Sequence, residues 1–186
     1  MYSLYHYYEK SRGPFRTLSD LAREESVRIH TLLESENQIF AARSDHGRYM
    51  ENRRIVEQRA YAAFLRRGGK PHRRNPYYMV LAQEESEECK SWFHDCGIVK
   101  IPLDAFDPLT VSFTYGDSFP TFKPIFEEEP EYPLYLKHEI FAVIEKRGMP
   151  PVRTESMSWL EPSYIEAQVW SGETIARYRD LPVQSF

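Results

Sequence analysis

The chain has 186 residues and no apolar run approaching the roughly 20 residues of a membrane-spanning helix. Its start carries no basic stretch followed by an apolar core. Both absences predict a cytoplasmic protein with no membrane partner. Cysteine is scarce: Cys89 and Cys96 are the only two, too few for a disulfide framework, so reduced thiols are expected. With His94 they form C-x4-H-x-C, a spacing that fits no zinc module, and no metal site is expected. There is no nucleophile elbow, Walker loop or metal-ligand triplet. A general acid–base hydrolase pairing His6 with Glu9 or Glu166 therefore ranks behind the readings below. Internal repeats and low-complexity tracts are missing too.

Aromatic side chains are plentiful, with 13 Tyr, 11 Phe and 3 Trp. This ring surface suits either an aromatic core or a stacking surface for a base or nicotinamide. Length and a hydrophobic content of 41% favour one domain over residues 1–186 with one good core. The net charge of -4 conceals a division. Arg43 to Arg74 carries ten Lys or Arg against three acids (+7), and Glu84 to Glu145 four against fourteen (-10). The basic stretch, with Arg53, Arg54, Arg73 and Arg74, suits a polynucleotide backbone. It equally suits a solvated helix paired with the acidic half.

Periodicity predicts a strand at Tyr2 to Tyr8, broken by Ser11-Arg12-Gly13-Pro14, and helices at about Leu21 to Glu34 and Tyr49 to Arg67, the second stopped by Gly68-Gly69. A short strand is expected at Asn37 to Phe40 and a loop at Ser44 to Gly47. Further strands are expected at Tyr77 to Ala82, Ile98 to Ile101, Thr110 to Tyr115 and Tyr164 to Trp170. Glu84 to Phe93 reads as a short acidic helix, Leu103 to Phe106 as a helical turn, and Leu134 to Lys146 as a helix closed by Gly148. Four prolines and Glu127-Glu128-Glu129 make Phe119 to Pro133 a long loop, and a second loop carries Trp159. Thr174 to Tyr178 is expected to return as a hairpin partner. The fold class is α+β: a mixed sheet with three or four helices.

Two segments hold the chemistry. Tyr5-His6-Tyr7-Tyr8-Glu9 opens the chain, and Tyr164-Ile165-Glu166-Ala167-Gln168-Val169-Trp170 nearly closes it. On the second, Tyr164, Glu166, Gln168 and Trp170 share one face and Ile165, Ala167 and Val169 the other. Glu and Gln on one face imply an open cleft or solvent, since a strand buried on both faces seldom carries both. If the two segments lie side by side, His6 and Glu166 enter one pocket. His6 among aromatics also fits a hydrogen-bonded core histidine, and Glu166 an edge strand facing water.

The opening Tyr5-His6-Tyr7-Tyr8-Glu9 with Gly13-Pro14-Phe15, the stretch Ser112-Phe113-Thr114-Tyr115-Gly116-Asp117, and Tyr164-Ile165-Glu166 resemble a group of bacterial proteins of unassigned function. More distantly, the order of Leu4-Tyr5-His6-Tyr7, Ile98 to Asp117 and Ile165 to Val169 resembles the ADP-ribosyltransferase fold, in particular its DNA-modifying toxin branch. That resemblance implies NAD as cofactor and a nucleic-acid or protein acceptor. It implies Glu166 as the carboxylate stabilising the ribosyl transition state and His6 as the group that positions the nucleotide. It also implies Tyr8 or Tyr115 against the nicotinamide, with Ser112 and Thr114 bracing the catalytic strand. Gln168 departs from the Glu-x-Glu of arginine-modifying members. The order Thr114-Tyr115-Gly116-Asp117 departs from the Thr-Asp-Gly of the DNA-modifying branch.

Overall fold

The computed structural model describes residues 1–36, 46–122, 133–158 and 161–179. The strand expected at Asn37 to Phe40, the acidic run Glu127-Glu128-Glu129 and Trp159 lie outside them. Among the described residues six strands form one sheet: β1 (Ser3–Glu9), β2 (Tyr77–Ala82), β3 (Cys96–Pro102), β4 (Val111–Tyr115), β5 (Leu134–Tyr135) and β6 (Ile165–Val169). Their order is β3-β1-β2-β6-β4-β5, and every strand pairing is antiparallel. The protein is α+β, as expected, but the sheet is not mixed.

Among the described residues there are six α-helices: α1 (Arg23–Glu36), α2 (His46–Arg66), α3 (Glu87–Lys90), α4 (Ser118–Phe122), α5 (Lys137–Arg147) and α6 (Gly172–Arg179). Three or four were expected. α3 lies within the short acidic helix expected at Glu84 to Phe93, whereas α4, at the start of the stretch read as a long loop, is too short to show a repeat at 3.6 residues. His46 and Gly47, read as loop, open α2. The expected hairpin strand at Thr174 to Tyr178 is instead α6, which buries Thr174 and Ile175. A hairpin partner had no place to pair, because both edges of β6 are taken by β2 and β4.

Helices cover both faces of the sheet. Leu4, Met79, Leu81, Ile101, Phe113, Ile165, Ala167 and Val169 pack beneath Ile140 of α5 and Ile175 of α6. On the other face, Val56, Ala60, Ala63 and Phe64 form the apolar stripe of α2 and meet Leu134 and Trp170. The indole of Trp170 lies 5.8 Å from the Phe64 ring, centroid to centroid. Just beyond α2, Gly68 takes φ 82°, a left-handed turn that suits glycine.

Candidate functional site

β1 and β2 pair only from Ser3↔Ala82 to Tyr5↔Val80. Beyond Tyr5, β1 stays on β3 as far as Glu9↔Cys96, while β2 stays on β6 back to Tyr77↔Val169. The sheet forks, and His6 stands in the fork. Its Nδ1 donates to the Tyr78 carbonyl at 3.0 Å, replacing a lost ladder bond. Its Nε2 accepts the Phe15 N–H at 2.9 Å. A carbonyl can only accept and an N–H only donate, so the ring carries one proton, on Nδ1. Burial disfavours the cation and outweighs the Tyr78 bond, lowering the His6 pKa to about 4. Phe15 stacks on the imidazole at 4.3 Å and takes φ 56°, a strained conformation for a bulky residue.

A cavity of about 1240 Å³ opens at the fork, and His6, Tyr8, Phe15, Arg53, Tyr78 and Glu166 are among its lining residues. The opening and closing strands are not side by side, because β2 lies between them. Glu166 shares a face with Val80 and Tyr5, which sit opposite one another in register. His6, the next residue along, alternates to the other face. Both reach the same cavity only because the strands part there.

β6 is buried on both faces, contrary to the inference from its Glu and Gln. A closed chain of hydrogen bonds allows it. Trp170 Nε1 donates to Ser112 Oγ at 2.9 Å, and Ser112 Oγ donates to Gln168 Oε1 at 2.9 Å. Gln168 Nε2 donates to Thr114 Oγ1 at 3.1 Å and to Glu166 Oε1 at 2.9 Å. Thr114 Oγ1 donates onward to the Gly116 carbonyl at 2.8 Å. Every member is bonded, which makes burial of these groups tolerable. The chain ends at Glu166, 8% exposed, whose Oε1 also accepts the Ser118 N–H at 3.4 Å. Burial, followed by the nearby Asp117, pushes the Glu166 carboxyl up to about 8, despite the opposing pull of Ser118, Gln168 and Arg53. It therefore changes charge near neutral pH.

Arg53 projects from α2 with its side chain 20% exposed. Nε donates to Glu57 Oε1 at 3.2 Å and to Ser19 Oγ at 3.1 Å, and Nη1 donates to the Tyr49 hydroxyl at 3.0 Å. The guanidinium lies over the Tyr78 ring, 4.9 Å from its centroid. Sequence reasoning assigned Arg53 to a basic surface. Its helical spacing to Glu57 is visible in the sequence, but not the cavity that Arg53 helps to line.

The remaining expected residues are dispersed. Tyr8 rests on Gly97, where an added Cβ would lie 2.4 Å from its Cζ, and His6 stacks beside it at 5.8 Å. Ser112 and Thr114 are buried beneath Gln168 and brace it. Tyr115 opens on a second cavity, about 290 Å³, shared with Asp117 and Tyr164. Arg54 bonds Ser26 Oγ at 3.3 Å, Arg73 pairs with Asp20, and Arg74 lies over Tyr61. Arg43 is outside the described residues. The thiol of buried Cys89 is pushed up to about 12 by burial. No helix among the described residues is long and apolar enough to cross a membrane. No family model, curated protein or solved structure matches this chain.

Proposed function

We propose that the cavity at the fork holds NAD and that the chain transfers its ADP-ribosyl group to a nucleic-acid or protein acceptor, on a divergent ADP-ribosyltransferase-like fold. The observation that carries this reading is Glu166: a nearly buried carboxyl, oriented by Gln168 and the Ser118 N–H, in the wall of a cavity rich in aromatic and arginine side chains. A volume of about 1240 Å³ accommodates a dinucleotide, since small-molecule sites span roughly 300–1,000 Å³. NAD supplies a ribose–nicotinamide bond whose cleavage leaves positive charge on the ribose carbon. Glu166 as carboxylate, itself 8% exposed, stabilises that charge more strongly than water does. His6, with both ring nitrogens engaged, positions the ligand indirectly by holding the Phe15 segment.

The high proton affinity of Glu166 fits this role with a stated sign. A cationic nicotinamide ring beside it favours the carboxylate, so binding at pH 7 releases a proton and affinity rises as pH approaches about 8. Glu166→Gln is expected to lower NAD-dependent labelling of an acceptor by about 10²–10³-fold, with circular dichroism unchanged. If the folded wild-type protein neither binds nor consumes NAD when DNA, RNA and protein are supplied, the reading fails. A non-catalytic polynucleotide-binding domain is the second reading, and the exposure of Arg66, Lys70 and Arg74 around the end of α2 favours it.

A further inference from the structure

Arg53 is tied down on one side only. Its contact with Glu57 is a single one, through Nε, and not the two-point fork that guanidinium and carboxylate form when both are free to align. Nε and Nη1 bond Ser19, Glu57 and Tyr49. Nη2 donates to no described residue. Glu57 Oε1 also accepts from Ser19 Oγ at 2.8 Å and from the Tyr78 hydroxyl at 3.2 Å, while its buried Oε2 has no hydrogen-bond partner among the described residues. The cation is thus fixed in place by the α2 side of the cavity, with one nitrogen left for a molecule inside it. Tyr78 supports the guanidinium plane from below, and Glu166 lines the same wall.

We propose that Arg53 is the oxyanion-binding residue of the cavity, so that the ligand acted on near Glu166 must carry a phosphoryl group. The inference rests on the nucleotide reading above and sharpens it: a phosphate-free nicotinamide nucleoside is a poor ligand, and NAD a good one. A fixed guanidinium suits this task because its geometry is set before binding, so little side-chain entropy is lost when the phosphate arrives. The bare phosphate ion and a phosphoryl group on a nucleotide present the same chemistry to Nη2.

Removing Arg53 alone strands a buried Glu57 carboxylate and threatens folding. The test therefore uses the double variant R53Q/E57Q, which removes both charges, isosterically at Glu57 and with a shorter uncharged side chain at Arg53, alongside R53K. Titration calorimetry with ADP-ribose, inorganic phosphate and nicotinamide riboside separates the sources. The wild type is expected to bind ADP-ribose at least about tenfold more tightly than R53Q/E57Q. R53K, which keeps the charge but not the planar fork, is expected to fall between them. Nicotinamide riboside affinity is expected to be the same in all three. Displacement of ADP-ribose by inorganic phosphate in wild type alone would mark the bare oxyanion as the recognised group. Equal ADP-ribose affinity in folded wild type and R53Q/E57Q overturns the proposal, as does failure of wild type to bind either ADP-ribose or phosphate. The two readings part cleanly. Arg53-dependent ADP-ribose binding without NAD turnover keeps the oxyanion site and removes the transferase, and NAD turnover with an unaltered KM in R53Q/E57Q does the reverse.

Discussion

The two faces of β6 solve the same problem by opposite means. Ile165, Ala167 and Val169 are fully buried on one face against Phe113, Ile140 and Ile175, where area removed from water stabilises at about 25 cal/mol per Å². Gln168 and Glu166 are nearly as buried on the other, where burial is tolerable only because donors and acceptors pair from Trp170 to Gly116. The apolar face has no privileged member. The polar face has one, because its chain of bonds ends on a carboxyl that opens into a cavity.

The largest effect that tests this contrast is on the apolar side. Phe113→Ala removes a fully buried ring opposite Ala167 and is expected to cost about 3–5 kcal/mol in urea unfolding while leaving the pH dependence of any activity unchanged. Gln168→Leu keeps the volume but leaves Ser112, Thr114 and Glu166 without their shared partner. It is expected to cost about 1–3 kcal/mol and to raise the Glu166 pKa further, because the Gln168 bond opposes the upward shift. If Gln168→Leu is neutral, or if Phe113→Ala moves the pH profile, the two faces are not distinct in the way described.

Glu166 itself sharpens the comparison through stability. Its carboxyl titrates at about 8 when folded against 4.5 as a model group. A raised pKa means that the stability is fully present below about pH 4.5 and declines as pH rises through about 8. Glu166→Gln, which cannot ionise, is therefore expected to be more stable than wild type at pH 8 by about 2–4 kcal/mol, with the difference vanishing below about pH 4.5. Loss of stability in Glu166→Gln at pH 8 would falsify the buried-carboxyl description.

Much of the local structure was legible in the sequence. Tyr77–Ala82 was read to the residue, and the strand at Tyr164 to Trp170 and the long α2 were each placed within a few residues, because their periodicities are strong. What escaped depends on partners distant in sequence. Nothing local in Tyr77–Ala82 says that it inserts between β1 and β6. Thr174 to Tyr178 has strand-like composition, and only the occupied edges of β6 force it into a helix. The same limit governed the site. The types His6, Glu166, Ser112 and Thr114 were readable, as was the shared face of Glu166 and Gln168. The role of Gln168 as the link among three of them required the register of β4 on β6. Arg53 was assigned by charge density, a property that carries no direction.

His6 offers the most specific expected effect, since it stands in the fork where β1 and β2 part. Both its nitrogens are used while it is neutral: Nδ1 donates to Tyr78 and Nε2 accepts from Phe15. Protonation removes the second bond, and the strained Phe15 backbone loses the contact that holds it. The folded pKa of about 4 lies below the ordinary 6.5, so His6 contributes fully above about pH 6.5, and its contribution falls as pH drops through about 4. Replacing it with Gln retains one donor and one acceptor but cannot titrate. The stability difference between wild type and His6→Gln, measured in urea from pH 7 to pH 4.5, is expected to shrink by about 2 kcal/mol. A difference that stays constant across that range means the ring titrates normally. The fork is then held by packing, and Phe15 keeps its conformation without the imidazole.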